Sequence, residues 1–367
     1  MTTVILLAML FLAFANGAND NFKGVATLYG SGTASFRIAL GWATLTTAAG
    51  AMLAPIIAPG LIGVFKAKGL VPNEIAASPE FMASAMLGAA ATVATATRFG
   101  LPVSTTHALT GGLVGAGLVG AGSALNLDVL GKAFVLPLLA GPFVAAIIAA
   151  IVTVVATAFT RRAPVRADAC VCVDATIAPQ PALAGAALAV PALAVTTGNA
   201  ATCPPTAGAR VTARQALDGF HFLSAGAVGF ARGVNDAPKL LALGMAAGAL
   251  GGGATASVAV VTATMVVGGL LFSRRVAETL STKMSHIEVG TGVVANTTAA
   301  TLVILGSLFK LPLSTTHVTT GAIVGSGAAR GQVAWRVFGQ VALAWITTLP
   351  VAVAFGAAGY AVITHVR

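Results

Sequence analysis

Apolar runs of membrane-crossing length recur along almost the whole chain, and they leave few folds open. About 20 apolar residues in helix cross the roughly 30 Å of hydrocarbon in a bilayer. Ten runs approach or exceed that length: Thr3 to Leu28, Ile38 to Ile62, Phe81 to Phe99, Thr105 to Ala121, Phe134 to Phe159, Phe220 to Leu250, Ser257 to Phe272, Val289 to Phe309, Thr315 to Ala329 and Val337 to Thr364. The shortest cannot span alone, and the longest hold a span plus a short helix. The runs are continuous and lack the alternation of membrane strands, so each must satisfy its backbone as helix. Composition agrees, with 57% hydrophobic and 8% charged residues against about a quarter charged in soluble domains. The class is an all-α polytopic membrane protein.

The opening "MTTVILLAMLFLAFANGA" imitates a secretory signal, but no Lys or Arg precedes its apolar core, and the polar motif after it has an internal counterpart. It reads as the first span. The net charge of +10 reports orientation in such a chain and not affinity for nucleic acid. With the N-terminus outside, Arg37, Arg98, Arg161, Arg162, Arg166, Arg210, Arg214, Arg274, Arg275, Lys283, Arg330 and Arg336 fall in the cytoplasm, and only Lys66, Lys68, Lys132, Lys310 and Arg367 fall outside. The expected location is therefore the cytoplasmic (inner) membrane, multi-pass, with the central loop inside.

Two motifs repeat in order. "LPVSTTHALTGGLVGAG" at 101–117 matches "LPLSTTHVTTGAIVGSG" at 311–327, and "NGANDNFK" at 16–23 matches "RGVNDAPK" at 232–239. Duplication follows. Each half holds five apolar segments, and an odd number turns the second half over relative to the first. If the segments around each STTH form a re-entrant hairpin, three crossings remain and the parity is unchanged. The expected fold is an inverted-topology repeat with broken helices or re-entrant hairpins at the motifs. Its parts are residues 1–160, a cytoplasmic linker at 161–215, and residues 216–367. The linker is rich in Ala, Pro, Gly and Thr and reads as flexible chain. Its Cys170, Cys172 and Cys203 carry only a weak metal signal, and reduced thiols without a function fit them better.

Pro102 and Pro312 disfavour helix in the residue before them, so each STTH motif starts a new helix. Ser104, Thr105 and Thr106, with Ser314, Thr315 and Thr316, then stand at helix N-termini, where free N–H groups and the dipole attract anions. Such residues also serve as plain N-caps; two copies in inverted halves favour a shared anion site. His107 and His317 suit proton exchange, anion contact or simple burial. Asp20 and Asp236 are acidic residues deep in apolar runs, the usual mark of an ion path. With Asn19 and Asn235 they offer hard oxygen ligands for Na⁺, and protonation of the carboxylates is the alternative. Lys23 and Lys239, three residues on, either neutralise the aspartates, contact an anion or fill a cation site. Arg232 stands where the first half has Asn16, as an anion contact or a helix-end anchor. Glycine stretches such as "GGLVGAGLVGAG" suit close helix crossings and not nucleotide loops. No nucleophile–base set appears, so enzymatic activity is not expected.

These four motifs in order resemble the inorganic phosphate transporter family, the PiT or solute-carrier-20 type, over both membrane halves but not the linker. The resemblance implies secondary phosphate transport driven by Na⁺ or H⁺, with no cofactor, and often a homodimer. Asn19, Asp20, Asn235 and Asp236 would bind coupling ion or phosphate, and the six Ser and Thr residues would bind phosphate. Lys23 and Lys239 depart from the best-known signature, which has a second Asn there. That departure favours H⁺, or phosphate arriving as a metal complex. A sulfate permease of the same family and a membrane anion sensor are the alternatives.

Overall fold

The computed structural model describes residues 1–67, 69–162, 166, 168–179, 189–199, 209–246 and 253–365. Lys68, Cys203 and Arg367 lie outside the described residues. The chain divides into two compact units, Met1–Thr153 with Leu223–Arg367, and Val154–Phe222.

The first unit is helical and repeats its order. In the first half α1 (Thr2–Asp20), α2 (Phe36–Ile57), α3 (Pro79–Arg98), α4 (Thr105–Gly120) and α5 (Leu136–Arg162) follow one another. After the linker come α6 (Ala213–Ala246), α7 (Gly253–Phe272), α8 (Val289–Leu308), α9 (Thr315–Ala328) and α10 (Trp335–His365). Among the described residues, six helical segments are long and apolar enough to cross a membrane. Large apolar side chains such as Leu45, Ile56, Phe143, Ile151, Leu271 and Ile346 point outward. In water such exposure is an aggregation hazard, whereas in lipid it costs nothing.

Local chemistry fixes the helix starts that matter. Ser35, Ser78, Ser104 and Ser314 each accept a hydrogen bond from the backbone N–H three residues on, the usual N-cap arrangement. Between α3 and α4 the chain is non-helical from Leu101 to Ser104, and between α8 and α9 from Leu311 to Ser314. The expected break at each STTH motif is therefore present in both halves.

The halves pack by exchanging partners. α1 lies against α7, where a Cβ on Gly17 would strike the backbone of Met265 and one on Gly268 that of Phe14. α6 lies against α2 in the same manner, with Gly233 on Thr47 and Gly50 on Phe230. Backbones this close are possible only where a side chain is missing. Met9, Leu12, Phe81, Met86, Leu109, Leu240 and Val261 belong to one buried apolar cluster drawn from both halves.

Two expectations are corrected. The first Asn-Asp motif does end a helix, since α1 stops at Asp20 and a 3₁₀ turn follows at Lys23–Val25. The second does not: α6 runs through Asn235, Asp236 and Pro238 without interruption. Arg232, Asp236 and Lys239 stand at i, i+4 and i+7 on one face, so their charges meet without unwinding the helix. The segment read as flexible linker is not continuous irregular chain. It carries β1 (Ala169–Pro179), β2 (Ala189–Asn199) and β3 (Ala209–Thr212) in an antiparallel sheet of order β2-β1-β3. Val and Thr in "ACVCVDATIAP" and "AVPALAVTTGN" favour strands, and Pro191 is tolerated because β2 is an edge strand. Cys170 and Cys172 lie on β1 with sulfurs 3.8 Å apart.

Candidate functional site

Five ionisable side chains meet where α1, α6 and the two STTH segments come together, and each is at most 2% exposed: Asp20, Lys23, Arg232, Asp236 and Lys239. Burial of one such charge without a partner is prohibitive, so the arrangement around each decides whether the cluster can exist.

Each half builds half of the network, and the lysines tie the halves together. Lys23 Nζ donates to Asp20 Oδ1, to Val103 O at 2.8 Å and to Asn19 Oδ1 at 3.1 Å, all from its own half, and it reaches Thr316 Oγ1 in the other. Lys239 Nζ donates to Leu313 O at 3.0 Å and Asp236 Oδ1 at 3.2 Å, and crosses to Thr106 Oγ1 at 2.7 Å. The two threonines close the exchange, with Thr316 Oγ1 donating to Val103 O and Thr106 Oγ1 to Leu313 O.

The asparagines hold the proline segments in place. Asn19 Nδ2 donates to Leu101 O and Thr97 Oγ1, and its Oδ1 accepts from Val103 N. Asn235 Nδ2 donates to Leu313 O and Asp236 Oδ1, and its Oδ1 accepts from Ser307 Oγ. Ser104 and Ser314 spend their hydroxyl oxygens on His107 N and His317 N, at 3.1 and 3.2 Å. The capping role is thus realised for both serines, and it presents the first-turn N–H groups of α4 and α9, which have no intrahelical partner, beside the cluster. Thr105 Oγ1 donates to Asp20 Oδ2, and Thr315 is buried.

The charge pattern of the two halves differs at one pair of positions, Asn16 and Arg232. Asn16 Nδ2 lies 3.1 to 3.3 Å from Asp20 Oδ2, Thr105 Oγ1 and Asp236 Oδ2, bridging both carboxylates. Its counterpart Arg232 places Nη2 2.8 Å from Asn16 Oδ1, Nη1 3.2 Å from Asn21 Oδ1 and 3.3 Å from Thr47 Oγ1, and Nε 3.5 Å from Asp236 Oδ2. The surface-anchor reading of Arg232 is overturned by its full burial. With all five groups ionised the cluster holds three cations against two carboxylates, one positive charge in excess.

His107 and His317 meet across the halves with ring centroids 4.4 Å apart, and Trp345 covers His317 at 4.1 Å. Among the described residues, Nδ1 of His107 and both ring nitrogens of His317 lack a hydrogen-bond partner of good geometry. A cavity of about 690 Å³ is lined by Arg98, Arg274 and Arg275 together with Ala18 and Thr97. Thr97 in this lining accepts from Asn19 Nδ2, and Asn19 Oδ1 accepts in turn from Lys23 Nζ, so Thr97 and Asn19 link the cavity to the cluster.

Sequence reasoning missed Thr97, Ser307, Asn16 as a ligand, and the carbonyls of Val103 and Leu313. The repeat register held the signal: Thr97 and Ser307 each stand seven residues before the Ser of their motif, and Val103 and Leu313 one before. Cys203 lies outside the described residues, so the three cysteines are not placed together here.

The fold and site define a multi-pass membrane protein with a buried, duplicated, charge-rich centre. The sequence pattern of the phosphate transporter family matches residues 16–356, and the chain belongs to that family. It is 28% identical over 370 residues, 97% of this chain and 77% of the other, to a protein of Mycobacterium leprae (strain TN) named a probable low-affinity inorganic phosphate transporter. A Rhizobium meliloti (strain 1021) protein of the same name is 27% identical over 363 residues, 96% of this chain and 93% of its own. A solved structure titled the sodium-dependent phosphate transporter shares the fold, with a TM-score of 0.75, 20% identity, and 100% of this chain and 99% of that chain covered. These relatives are named as transporters, and the family is a transporter family.

Proposed function

We propose that the chain is a secondary active symporter that carries inorganic phosphate across the cytoplasmic membrane by alternating access, coupled to H⁺ or Na⁺. The observation that carries this reading is the buried cluster of three basic and two acidic side chains beside two helix N-termini. An anion placed there meets Lys23, Lys239 and Arg232, the hydroxyls of Thr105, Thr106, Thr315 and Thr316, and the capped first turns at Ser104 and Ser314. Asn19 and Asn235 hold the segments that carry those groups. Asp20 and Asp236 balance the cations and carry the coupling step together with the ammonium groups on them. Coupling to H⁺ is favoured over Na⁺, because the ammonium groups of Lys23 and Lys239 already take the places beside the carboxylates that a metal ion would need. His107 and His317, whose rings meet across the halves, are further groups able to exchange a proton.

Alternating access requires the cluster, closed in this structure, to open to each face in turn. Its way to the arginine-bearing end is short, through Thr97 and the cavity beyond. The two halves act as an inverted pair in this reading, with the N-terminus outside and the linker cytoplasmic.

Labelled phosphate uptake into vesicles under imposed H⁺ or Na⁺ gradients tests the proposal, and no uptake under either ends it. Block by arsenate marks a phosphate site, whereas block by molybdate or thiosulfate marks a sulfate permease. Uptake with and without Mg²⁺ distinguishes free phosphate from a metal complex, and the mass of the solubilised protein tests the homodimer.

A further inference from the structure

The two lysine ammonium groups sit in oxygen cages whose make-up repeats. Around Lys23 Nζ stand a carboxylate oxygen of Asp20, the amide oxygen of Asn19, the main-chain carbonyl of Val103 and the hydroxyl of Thr316. Around Lys239 Nζ stand a carboxylate oxygen of Asp236, the carbonyl of Leu313 and the hydroxyl of Thr106. Each cage thus combines a carboxylate, a main-chain carbonyl just before a Ser-Thr-Thr motif and a threonine from the opposite half.

An ammonium has three hydrogens to give, yet Lys23 Nζ has four oxygens in reach. A carboxylate with neutral carbonyl, amide and hydroxyl oxygens is the donor set that hard cations take, and one formal negative charge suits a monovalent ion. Both lysines are fully buried and reach their cages from positions three residues beyond the aspartate, so each cation is tied covalently to the wall that surrounds it.

We propose that Lys23 and Lys239 are permanent occupants of two alkali-cation cages, each ammonium standing in for a bound Na⁺, so that transport by this chain is independent of Na⁺. The proposal rests on the phosphate-transport reading and narrows its coupling. A site that needs a mobile cation to neutralise Asp20 and Asp236 must collect it before the anion binds. Here the positive charge is always present, and it is returned with the empty carrier instead of being delivered with the cargo.

Removal of the tethered charge should open the cage to a free ion. Lys23→Ala with Lys239→Ala leaves the oxygens and creates room, whereas Lys23→Met with Lys239→Met removes the charge but keeps most of the volume. The experiment is labelled phosphate uptake by the reconstituted full chain, at a fixed pH gradient, with external Na⁺ replaced by choline. Wild-type uptake should change by less than about twofold, below the usual coupling between two bound ligands, and the alanine pair should be stimulated by Na⁺ about fivefold or more. The methionine pair should show no Na⁺ response. Wild-type uptake that requires Na⁺ overturns the proposal even if neither variant folds.

A second readout does not depend on transport. Na⁺ should raise the thermal unfolding temperature of the Lys23→Ala protein and leave that of the wild type unchanged, because only an ion that binds the folded state stabilises it. A wild-type shift, or none in a folded alanine variant, overturns the cages. Absence of phosphate uptake under every condition overturns the transport reading, and the unfolding measurement still decides the cages.

Discussion

Asp236 touches two buried cations, Lys239 and Arg232, whereas the close ion-pair partner of Asp20 is Lys23 alone. Removal of one member of a buried pair typically costs ~3–5 kcal/mol because the other charge is left unpaired. Asp236→Asn should therefore lower thermal stability in detergent more than Asp20→Asn, and both should abolish coupled uptake while the protein remains folded. Wild-type uptake in both would make the carboxylates purely structural. Arg232→Asn, which restores the first half's residue, removes the excess positive charge. It should raise the KM for phosphate on the order of tenfold, about 1.4 kcal/mol of lost binding, and Arg232→Lys should keep part of the affinity, since charge survives but the fork does not. The residue types of this centre were legible: Asn, Asp and Lys twice in apolar runs mark a site. The crossing of each lysine to a threonine of the other half was not, because nothing in a linear sequence orders contacts more than a hundred residues apart.

Between elements, the close crossings of α1 with α7 and of α6 with α2 depend on missing side chains. Gly17→Ala would drive a methyl group into the Met265 backbone and should destabilise by about 1–3 kcal/mol, the usual cost of overpacking. Gly41→Ala on α2 meets open space and should be neutral or stabilise by about 0.5–1 kcal/mol, since Gly is a poor helix former. Thermal unfolding of the two variants in one detergent makes the comparison, and an equal response in both would mean that the crossing tolerates separation. The helix breaks at Pro102 and Pro312 could be read directly, because proline acts on its own neighbours. The continuity of α6 through Pro238 could not, since the matching motif in the first half ends α1.

For the whole molecule, the sheet of β1, β2 and β3 belongs to a unit separate from the helices that hold the cluster. A chain with residues 168–212 replaced by a Gly-Ser linker should still take up phosphate, with its rate within about twofold of wild type, since such linkers span by flexible reach alone. Loss of uptake with retained phosphate binding would favour a sensor whose linker signals. By itself the sequence determined the membrane class, the duplication and the residue types of the centre, because apolar run length, repeated order and the cost of buried charge are properties of the chain that hold in any packing. The tertiary structure decided which oxygens surround each lysine, that Arg232 lies buried beside Asn16 and Asn21, and that His107 meets His317. Those outcomes depend on two halves packing together, where a shift of a few ångströms breaks a hydrogen bond.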